Sequence, residues 1–251
     1  MGKTIAVVNQ KGGVGKTTTS VNLTAALREK GMKVLLCDFD PQANATSGFG
    51  IDKRKVKHSV YNVVIDGVPV KDAIVSTKYG DVLPSTPDLA GAAIELITSE
   101  YREHQLEKCL EAVKDQYDVI LIDCPPSLEM LTLNGLAAAD GILVPVQCEY
   151  YALEGLSDLM STMRRVKLRI NPKLEIFAVA LTMYDGRTNF SAQVAQEVRR
   201  HFPGKVFATA IPRNIRLSEA PSHGLPVTAY DKSSKGAVAY RAMAEEMIQK
   251  L

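Results

Sequence analysis

A glycine-rich loop near the start of the chain decides the fold. Residues 11–17 read Lys-Gly-Gly-Val-Gly-Lys-Thr and directly follow an apolar, strand-like segment. A common phosphate-binding loop has the pattern G-x-x-x-x-G-K-[ST]. Gly15, Lys16 and Thr17 match it, but Gln10 stands where the first glycine is expected, and Lys11 adds a second lysine. Because one lysine already serves one set of phosphates, the second lysine needs its own explanation.

The loop offers several groups to a bound nucleotide. Its glycines let backbone N–H groups point inward at places where Cβ atoms would obstruct phosphate oxygens. The helix expected from Lys16 adds the positive end of its dipole. We expect Lys16 to neutralise β/γ-phosphate charge, Thr17 to ligate Mg²⁺ and Thr18 to bond a phosphate. The predicted nucleotide-contacting residues of the loop are Lys11, Gly12, Gly13, Val14, Gly15, Lys16, Thr17 and Thr18.

Strand-like and helix-like segments alternate along the rest of the chain. This alternation predicts right-handed βαβ units, and therefore an α/β fold of the P-loop NTPase type. We expect one domain, residues 1–251, with a doubly wound, mostly parallel sheet flanked by helices on both faces. The predicted strands are Thr4–Asn9, Lys33–Asp38, Asp81–Pro84, Asp118–Asp123, Gly141–Gln147, Ile176–Met183 and Val206–Ile211. The predicted helices are Lys16–Lys30, Glu103–Asp115, Leu128–Ala138, Ala152–Leu168, Ser191–Phe202 and Lys235–Leu251.

Composition narrows the class of protein. The 251 residues are 46% hydrophobic and 23% charged, as in a soluble globular protein, and no apolar run is long enough to cross a bilayer. No secretory signal pattern opens the chain. The four cysteines have no C-x-x-C spacing, so we expect free thiols in a reducing cytoplasm. They are Cys37, Cys109, Cys124 and Cys148.

The charge is unevenly distributed. The net charge is +2, yet the segment from Arg164 to Arg216 holds 11 Lys or Arg against three acids, a balance of +8. The remainder of the chain therefore sums to −6. A basic segment on a nearly neutral protein indicates a polyanion that binds one face, although solvated helix faces also account for single residues in it.

Two acidic motifs end predicted strands. The first reads Cys-Asp-Phe-Asp-Pro-Gln over residues 37–42, where we expect Asp40 to orient the attacking water while the other carboxylate supports the loop. The second reads Ile-Asp-Cys-Pro-Pro over residues 122–126. An acid that ends an apolar strand is typical of the second Mg²⁺ element in phosphate-loop proteins. Asp123 is therefore predicted to hold a metal-bound water.

A third motif, Ile-Pro-Arg-Asn over residues 211–214, also follows a predicted strand. Asn214 carries both a donor and an acceptor, which suits an adenine edge, and Pro212 offers a surface that packs on the ring. An ordinary turn is the alternative reading of these residues.

With these motifs in place, the chain resembles the ParA/Soj family of deviant Walker A ATPases. The resemblance covers nearly the whole length and is closest to the chromosome-partition Soj branch. It is carried by NQKGGVGKTTTSVNL, DFDPQANATSGFG, LIDCPPS, PVQCEYYALEG, TMYDGRTN and IPRNIRLSEAPSHG.

The resemblance implies a role for Lys11. In this family it is the signature lysine, which reaches phosphates bound by the other subunit of an ATP-dependent nucleotide-sandwich homodimer. It further implies that Lys16 and Asp40 act in hydrolysis, that Thr17 and Asp123 serve Mg²⁺, and that intrinsic turnover is weak.

The resemblance also implies partners. The ATP-bound dimers of the family bind double-stranded DNA without sequence preference, and Arg187 and Arg216 occupy the matching positions. A ParB/Spo0J-type centromere-binding protein is expected to stimulate hydrolysis and release the DNA. We therefore expect a cytoplasmic, nucleoid-associated protein of plasmid or chromosomal partition, with no direct membrane binding. Since no DNA-binding extension precedes the loop, binding to a specific operator is not expected.

One position departs from the commonest family wording. Ala43 stands where many relatives have glycine, and we expect activity to survive this change.

Three other readings compete with this one. A MinD-like membrane-cycling ATPase would end in a basic amphipathic helix, whereas the tail from Ala237 to Leu251 has only Lys250 and Arg241 against Glu245 and Glu246. An iron–sulfur reductase of the nitrogenase iron-protein type would need exposed cluster-ligating cysteines. A nucleotide-dependent scaffold without hydrolysis is disfavoured by the presence of Asp40.

Overall fold

A seven-stranded sheet forms the centre of the protein. The computed structural model describes residues 2–127, 129–149 and 152–251, and the side chains of all of these except residues 152–155. The sheet has the order β3-β4-β2-β5-β1-β6-β7, and only β3 runs antiparallel to its neighbour. The strands are β1 Lys3–Val7, β2 Val34–Asp38, β3 Val75–Thr77, β4 Gly80–Leu83, β5 Val119–Asp123, β6 Gly141–Gln147 and β7 Glu175–Thr182.

Helices connect the strands and cover the sheet. Short helices occupy the region between β2 and β5, as the irregular sequence there indicates. The helices up to β5 are α1 Lys16–Glu29, α2 Asn44–Gly48, α3 Val60–Val64, α4 Val70–Ala73, α5 Leu89–Glu95 and α6 Gln105–Glu111. Those after β5 are α7 Met130–Ala138, α8 Ala152–Arg169, α9 Asn189–His201, α10 Ile215–Glu219, α11 Val227–Tyr230 and α12 Lys235–Lys250. The predicted start of α7 at Leu128 lies outside the described residues.

The sheet is covered on both faces, so the doubly wound α/β prediction is confirmed. Alternate residues of β5 enter different cores: Ile120 packs with Leu106 of α6, and Leu121 packs with Leu23 of α1. Two-sided burial explains why the strands read as continuous apolar runs rather than as alternating ones. Within the described part of the chain, no helix is long and apolar enough to cross a membrane.

The predicted strand Val206–Ile211 is wrong. This segment forms an isolated bridge from Val206 to Val179 of β7, and the Ile211 N–H donates to the carbonyl of Leu181 at 2.8 Å, but no strand forms between these two contacts. The backbone N–H groups of Ala208 and Thr209 donate instead to the carboxylate of Glu246 on α12, at 2.6 and 2.7 Å. These two bonds interrupt the ladder, because an N–H that donates to a side chain no longer donates to the neighbouring strand.

The short edge strand β3 was not predicted. It forms a tight hairpin with β4, in which Thr77 pairs with Gly80. Gly80 has φ 136°, a conformation that L side chains rarely adopt. Three residues of mixed polarity give too weak a pattern to be recognised as a strand.

Strand order brings the predicted motifs to one edge. β1 lies between β5 and β6, so the loop after β1 sits beside the carboxyl ends of both. Asp38 of β2 is in register with Asp123 of β5. Ligands of open α/β sheets bind outside the carboxyl ends of the strands, where the strand order reverses.

Candidate nucleotide-binding site

The loop between β1 and α1 has the backbone of a phosphate cradle. Gly13 and Gly15 adopt left-handed conformations, with φ values of 75° and 89°. A Cβ atom added to Gly12 or Gly13 would have no neighbour within 4 Å, so their backbone faces open space rather than packed side chains. Helix α1 begins at Lys16, directly after Gly15. The arrangement fits an anion at a helix N-terminus.

Two side chains hold the loop in place. Asn9 follows β1, and its side-chain amide donates to the carbonyl of Pro145 on the neighbouring strand β6 at 2.8 Å. The side-chain oxygen of Asn9 accepts the N–H of Lys11 at 3.0 Å. The Thr182 hydroxyl at the end of β7 donates to the carbonyl of Val14 at 2.8 Å. The motif analysis missed Asn9 and Thr182. Only their positions at strand ends could have indicated them.

Lys16 lies inside the loop. Its side chain is only 7% exposed, and its Nζ donates to the carbonyl of Lys11 at 3.3 Å. Burial lowers the pKa of Lys16, while the negative charges of Asp123 and Asp40 oppose that change. An ammonium group with few competing water contacts is well placed to bind phosphate oxygens.

Lys11 lies at the mouth of the same loop. Its side chain is 34% exposed, and its Nζ is 3.9 Å from the Glu149 carboxylate, which also accepts from Arg213 at 3.5 Å. Half-exposed ion pairs of this length stabilise a protein by about 0–1 kcal/mol. The Lys11 amine is therefore held weakly within its own subunit.

Asp123 is fully buried beside the loop. One carboxylate oxygen accepts from the Ser20 hydroxyl at 2.8 Å, and the other is buried without a hydrogen-bond partner among the described residues. Burial, and then the charge of Asp38, raise the pKa of Asp123 to about 7, while the hydroxyls of Thr17 and Ser20 offset part of the rise.

This environment fits a magnesium ion. An orphaned buried carboxylate oxygen beside a threonine hydroxyl suits a water-mediated Mg²⁺ contact. No cluster of three or more His, Cys, Asp or Glu side chains suited to a metal occurs in the described ranges. Magnesium does not require such a cluster, because it keeps several waters and takes further ligands from phosphate oxygens. Thr17 and Asp123 are the residues that would hold it.

Asp38 and Asp40 have different environments. Asp38 is fully buried and accepts from both the N–H and the hydroxyl of Thr46, each at 2.7 Å. Burial raises the pKa of Asp38 to about 6. Asp40 is 8% exposed, and its carboxylate accepts the N–H of Gln42 at 2.9 Å. Asp38 is therefore tied to the residues that follow it, and Asp40 is the more exposed of the two carboxylates.

Ala43 adopts the conformation that favours glycine. Its φ is 53° at the residue before α2, and its side chain is fully buried. A left-handed alanine costs about 1–2 kcal/mol. This cost gives a physical reason for the glycine of many relatives, and the buried methyl group offsets part of it.

A cleft of about 300 Å³ joins the loop to the third motif. Gly15 and Thr18 line one side, and Pro212 and Asn214 line the other. The Asn214 oxygen accepts the N–H of Arg216 at 3.0 Å, which caps α10. This bond uses one lone pair of the Asn214 oxygen and leaves its second lone pair and the amide N–H groups for an adenine edge.

The two candidate DNA-contacting arginines lie in neighbouring segments, Arg187 in the loop before α9 and Arg216 in the first turn of α10. We call these two segments the arginine-bearing loops. Residues Tyr184 and Pro212 form a bridge that joins the loop before α9 to the loop before α10. The Arg187 side chain, 89% exposed, donates twice to Asp185 at 2.9 and 2.7 Å. Arg216 pairs with Glu219 at 2.7 Å and with Asp231 at 3.2 Å. These acidic partners were not predicted.

Comparisons with known proteins identify the family. A family model described as an AAA domain matches residues 2–176. The sporulation initiation inhibitor protein Soj of Bacillus subtilis is 56% identical over 249 residues, which cover 98% of each chain. The chromosome partitioning protein ParA of Myxococcus xanthus is 47% identical and covers 100% of this chain and 89% of its own. The chain belongs to the ParA/Soj family of P-loop ATPases.

A solved structure supports the same fold. Cobyrinic acid a,c-diamide synthase of Mycobacterium smegmatis superimposes with a TM-score of 0.87 and 39% identity, over 99% of this chain and 95% of that one. It was solved with bound ADP and magnesium, and with an ATP analogue and magnesium. The family resemblance expected from the motifs is therefore confirmed. Residues 150 and 151 of the PVQCEYYALEG motif lie outside the described residues.

The cysteines and the last helix also match the expectations. Cys37, Cys124 and Cys148 are buried and Cys109 is half-buried, and all four are free thiols. Helix α12 packs on α1, where the Tyr240 hydroxyl lies 3.2 Å from that of Thr19. The apolar side chains of α12 therefore belong largely to the core.

Proposed function

We propose that the protein is an ATP-dependent partitioning ATPase that works as an ATP-bound sandwich dimer on DNA. One observation carries the proposal: the loop has two lysines in opposite environments. Lys16 is buried within its own site, whereas Lys11 lies at the mouth, where a 3.9 Å ion pair with Glu149 is its one salt bridge among the described residues. A second subunit's phosphate would offer the Lys11 amine a stronger anionic partner than Glu149 does.

Hydrolysis of ATP is assigned to the same site. Lys16 would bind the β- and γ-phosphates, and Thr17 and Asp123 would hold Mg²⁺, which neutralises developing charge when bound. Asp40 would orient the attacking water. Thr18, Pro212 and Asn214 would line the cleft for the rest of the nucleotide. Weak intrinsic turnover is part of the proposal: Arg213, the arginine that lines this cleft, donates to Glu149.

Loss of the γ-phosphate provides a reason for the dimer to separate. The two Lys11-bearing loops carry positive charge, and the γ-phosphate anions lie between them in the dimer. Hydrolysis and phosphate release remove that attraction. A ParB/Spo0J-type protein is the proposed stimulator of this step.

DNA binding is assigned to the basic loops at the carboxyl edge of the sheet. Arg187 and Arg216 are both exposed there, and each is paired with acids of its own loop or its neighbour. Phosphate binding by such arginines is electrostatic and independent of sequence. We place the protein in the cytoplasm, on the nucleoid.

A MinD-like membrane cycle receives no comparable support. The packing of α12 on α1 leaves Val238 and Ile248 as its exposed large apolar side chains. Two scattered residues do not make the apolar face of a membrane-binding helix.

Light scattering of Asp40→Ala tests the proposal. This variant should bind ATP without turnover, form a dimer with ATP but not with ADP, and bind nonspecific DNA only as that dimer. A monomer in ATP, or DNA binding that does not depend on nucleotide, would contradict it. Sedimentation with anionic liposomes and ATP provides the control for the membrane alternative.

A further inference from the structure

A buried set of hydrogen bonds surrounds the backbone of Asp40. It joins the end of β2, helix α2 and the residue after Pro84 at the end of β4. We propose that Thr46 and Ser85 are positioning residues for hydrolysis, which fix the Asp40 carboxylate relative to the phosphate loop. This inference rests on the assignment of Asp40 to the attacking water.

The bonds form a directed chain. The Ser85 N–H donates to the Thr46 hydroxyl at 2.9 Å, and that hydroxyl donates to the Asp38 carboxylate at 2.7 Å. The Ser85 hydroxyl then donates to the Asp40 carbonyl at 2.8 Å. The Thr46 hydroxyl hydrogen has one acceptor, and the Ser85 hydroxyl has a short bond to Asp40 beside a longer contact of 3.5 Å to the Thr86 carbonyl, so both hydroxyls are oriented by their partners.

The chain reaches Asp40 from several sides. The N–H of Asp40 donates to the Asp38 carboxylate at 3.3 Å. The carbonyl of Asp40 accepts from the Ser85 hydroxyl at 2.8 Å and from the N–H of Ala43 at 2.9 Å. Its carboxylate accepts the Gln42 N–H. The backbone of Asp40 is thereby fixed independently of any ligand. A reacting group has to be held within about 0.5 Å of its productive position.

The surroundings argue against a role in packing alone. Thr46 and Ser85 are fully buried, as are Phe39, Leu83 and Ala45 nearby in the chain. Apolar side chains of similar volume would fill this space without the desolvation of two hydroxyls and a carboxylate, which is unfavourable unless each bond is well made. The presence of polar side chains at these buried positions therefore indicates that Asp40 has to be held in one defined position.

Steady-state kinetics of Thr46→Val and Ser85→Ala test the proposal. We expect Thr46→Val to lower kcat about 10- to 100-fold and Ser85→Ala about 3- to 10-fold, with the Kd for ATP changed less than threefold. Both variants should keep the ATP-dependent dimer. Thr46→Ser, which retains the hydroxyl, should restore kcat to within about threefold of wild type.

Thr24→Val is the matched control. Thr24 is also fully buried, and its hydroxyl donates to the carbonyl of Ser20 within α1 at 2.7 Å, outside the chain of bonds around Asp40. Thr24→Val should lose about as much stability as Thr46→Val, but its kcat should stay within about twofold of wild type. If Thr46→Val does not fold, Ser85→Ala decides, because it removes the bond to Asp40 and, besides that, only the long contact to the Thr86 carbonyl.

The outcomes separate the two proposals. Full kcat in Thr46→Val or Ser85→Ala, while Asp40→Ala stops turnover, would overturn the positioning role and leave the function intact. A failure of Thr46→Ser to restore kcat would also overturn it, because any loss would then follow side-chain volume rather than the hydroxyl. Normal turnover in Asp40→Ala would instead refute the assignment of Asp40 itself.

Discussion

The nucleotide site and the arginine-bearing loops lie at the same edge of the sheet but are built in opposite ways. Lys16, Asp38 and Asp123 are buried and joined by hydrogen bonds to their surroundings. Arg187 and Arg216 are exposed and paired with acids near the surface. Removal of a buried charge leaves its partners uncompensated, whereas exposed pairs are weak and screened by salt. Substitutions in the first region should therefore have the larger effects.

The two lysines of the loop give the largest expected difference. Lys16→Ala should lower ATP affinity about 100-fold or more, because it removes a buried charge from the phosphate site. Lys11→Ala should change ATP affinity less than about threefold but abolish the ATP-dependent dimer, and with it DNA binding. Titration with a fluorescent ATP analogue and light scattering measure the two properties. Equal losses of ATP affinity in both variants would contradict the separate roles of Lys16 and Lys11.

Charge reversal in the arginine-bearing loops should have a smaller and salt-dependent effect. Arg187→Glu with Arg216→Glu should weaken DNA binding of the ATP dimer about tenfold or more, uniformly across sequences. The slope of log K against log salt concentration should also become shallower by about four, because the dimer loses two arginines from each subunit. ATP affinity should not change.

The control for this pair comes from the same basic segment. Lys173→Glu with Lys205→Glu makes the same change of charge, but Lys173 precedes β7 and Lys205 lines a cleft with Lys3 and Gly141 at the amino edge of the sheet. DNA binding should remain within about threefold in this double variant. Equal losses in both double variants would show that only net charge matters, and not the proposed face.

A pH titration of stability should give the smallest effect. Asp123 has an ordinary pKa of 3.8 that burial raises to about 7. The folded protein therefore holds a proton that the unfolded chain has lost over this range, so the free energy of unfolding falls as pH rises through it. Without nucleotide or Mg²⁺, the free energy of unfolding of wild type should fall by about 1–3 kcal/mol relative to that of Asp123→Asn between about pH 4.5 and 7.5.

Chemical denaturation at several pH values measures this difference. The comparison between the two proteins cancels the other titrating groups, except for the response of the neighbouring Asp38 to the loss of charge. Parallel pH profiles would mean that the Asp123 carboxyl is more hydrated than its burial indicates, and would weaken the contrast between the two regions.

Sequence predicted most of the fold because two-sided burial leaves long apolar runs in the strands. The phosphate loop and Asp40 were predicted for a different reason, because each lies in a short continuous motif whose residue types indicate the chemistry. Asn9, Thr46, Ser85 and Thr182 escaped notice, since each acts on a partner that the fold brings close from elsewhere in the chain. Ser85 and Asp40, for example, are separated by 45 positions.

Long-range contacts also explain the wrong strand. The apolar composition of Val206–Ile211 favours a strand, but the Glu246 carboxylate takes two of its N–H groups. Nothing within the segment itself signals an acceptor that is 37 or 38 positions away. The pairing of Arg187 and Arg216 with their acidic partners, by contrast, can be recognised only when the conformation of the two segments is known.

The bond from Thr182 to Val14 has a mechanical consequence. Thr182 ends β7, and Arg187 follows only five residues later, so this buried 2.8 Å contact fastens the phosphate loop to the base of the loop that carries an arginine. A shift of Val14 toward a phosphate either draws the end of β7 with it or breaks the bond. The Thr182 hydroxyl thus connects the two regions directly, beside Glu149, which pairs with both Lys11 and Arg213, and these contacts limit how far one region moves without the other.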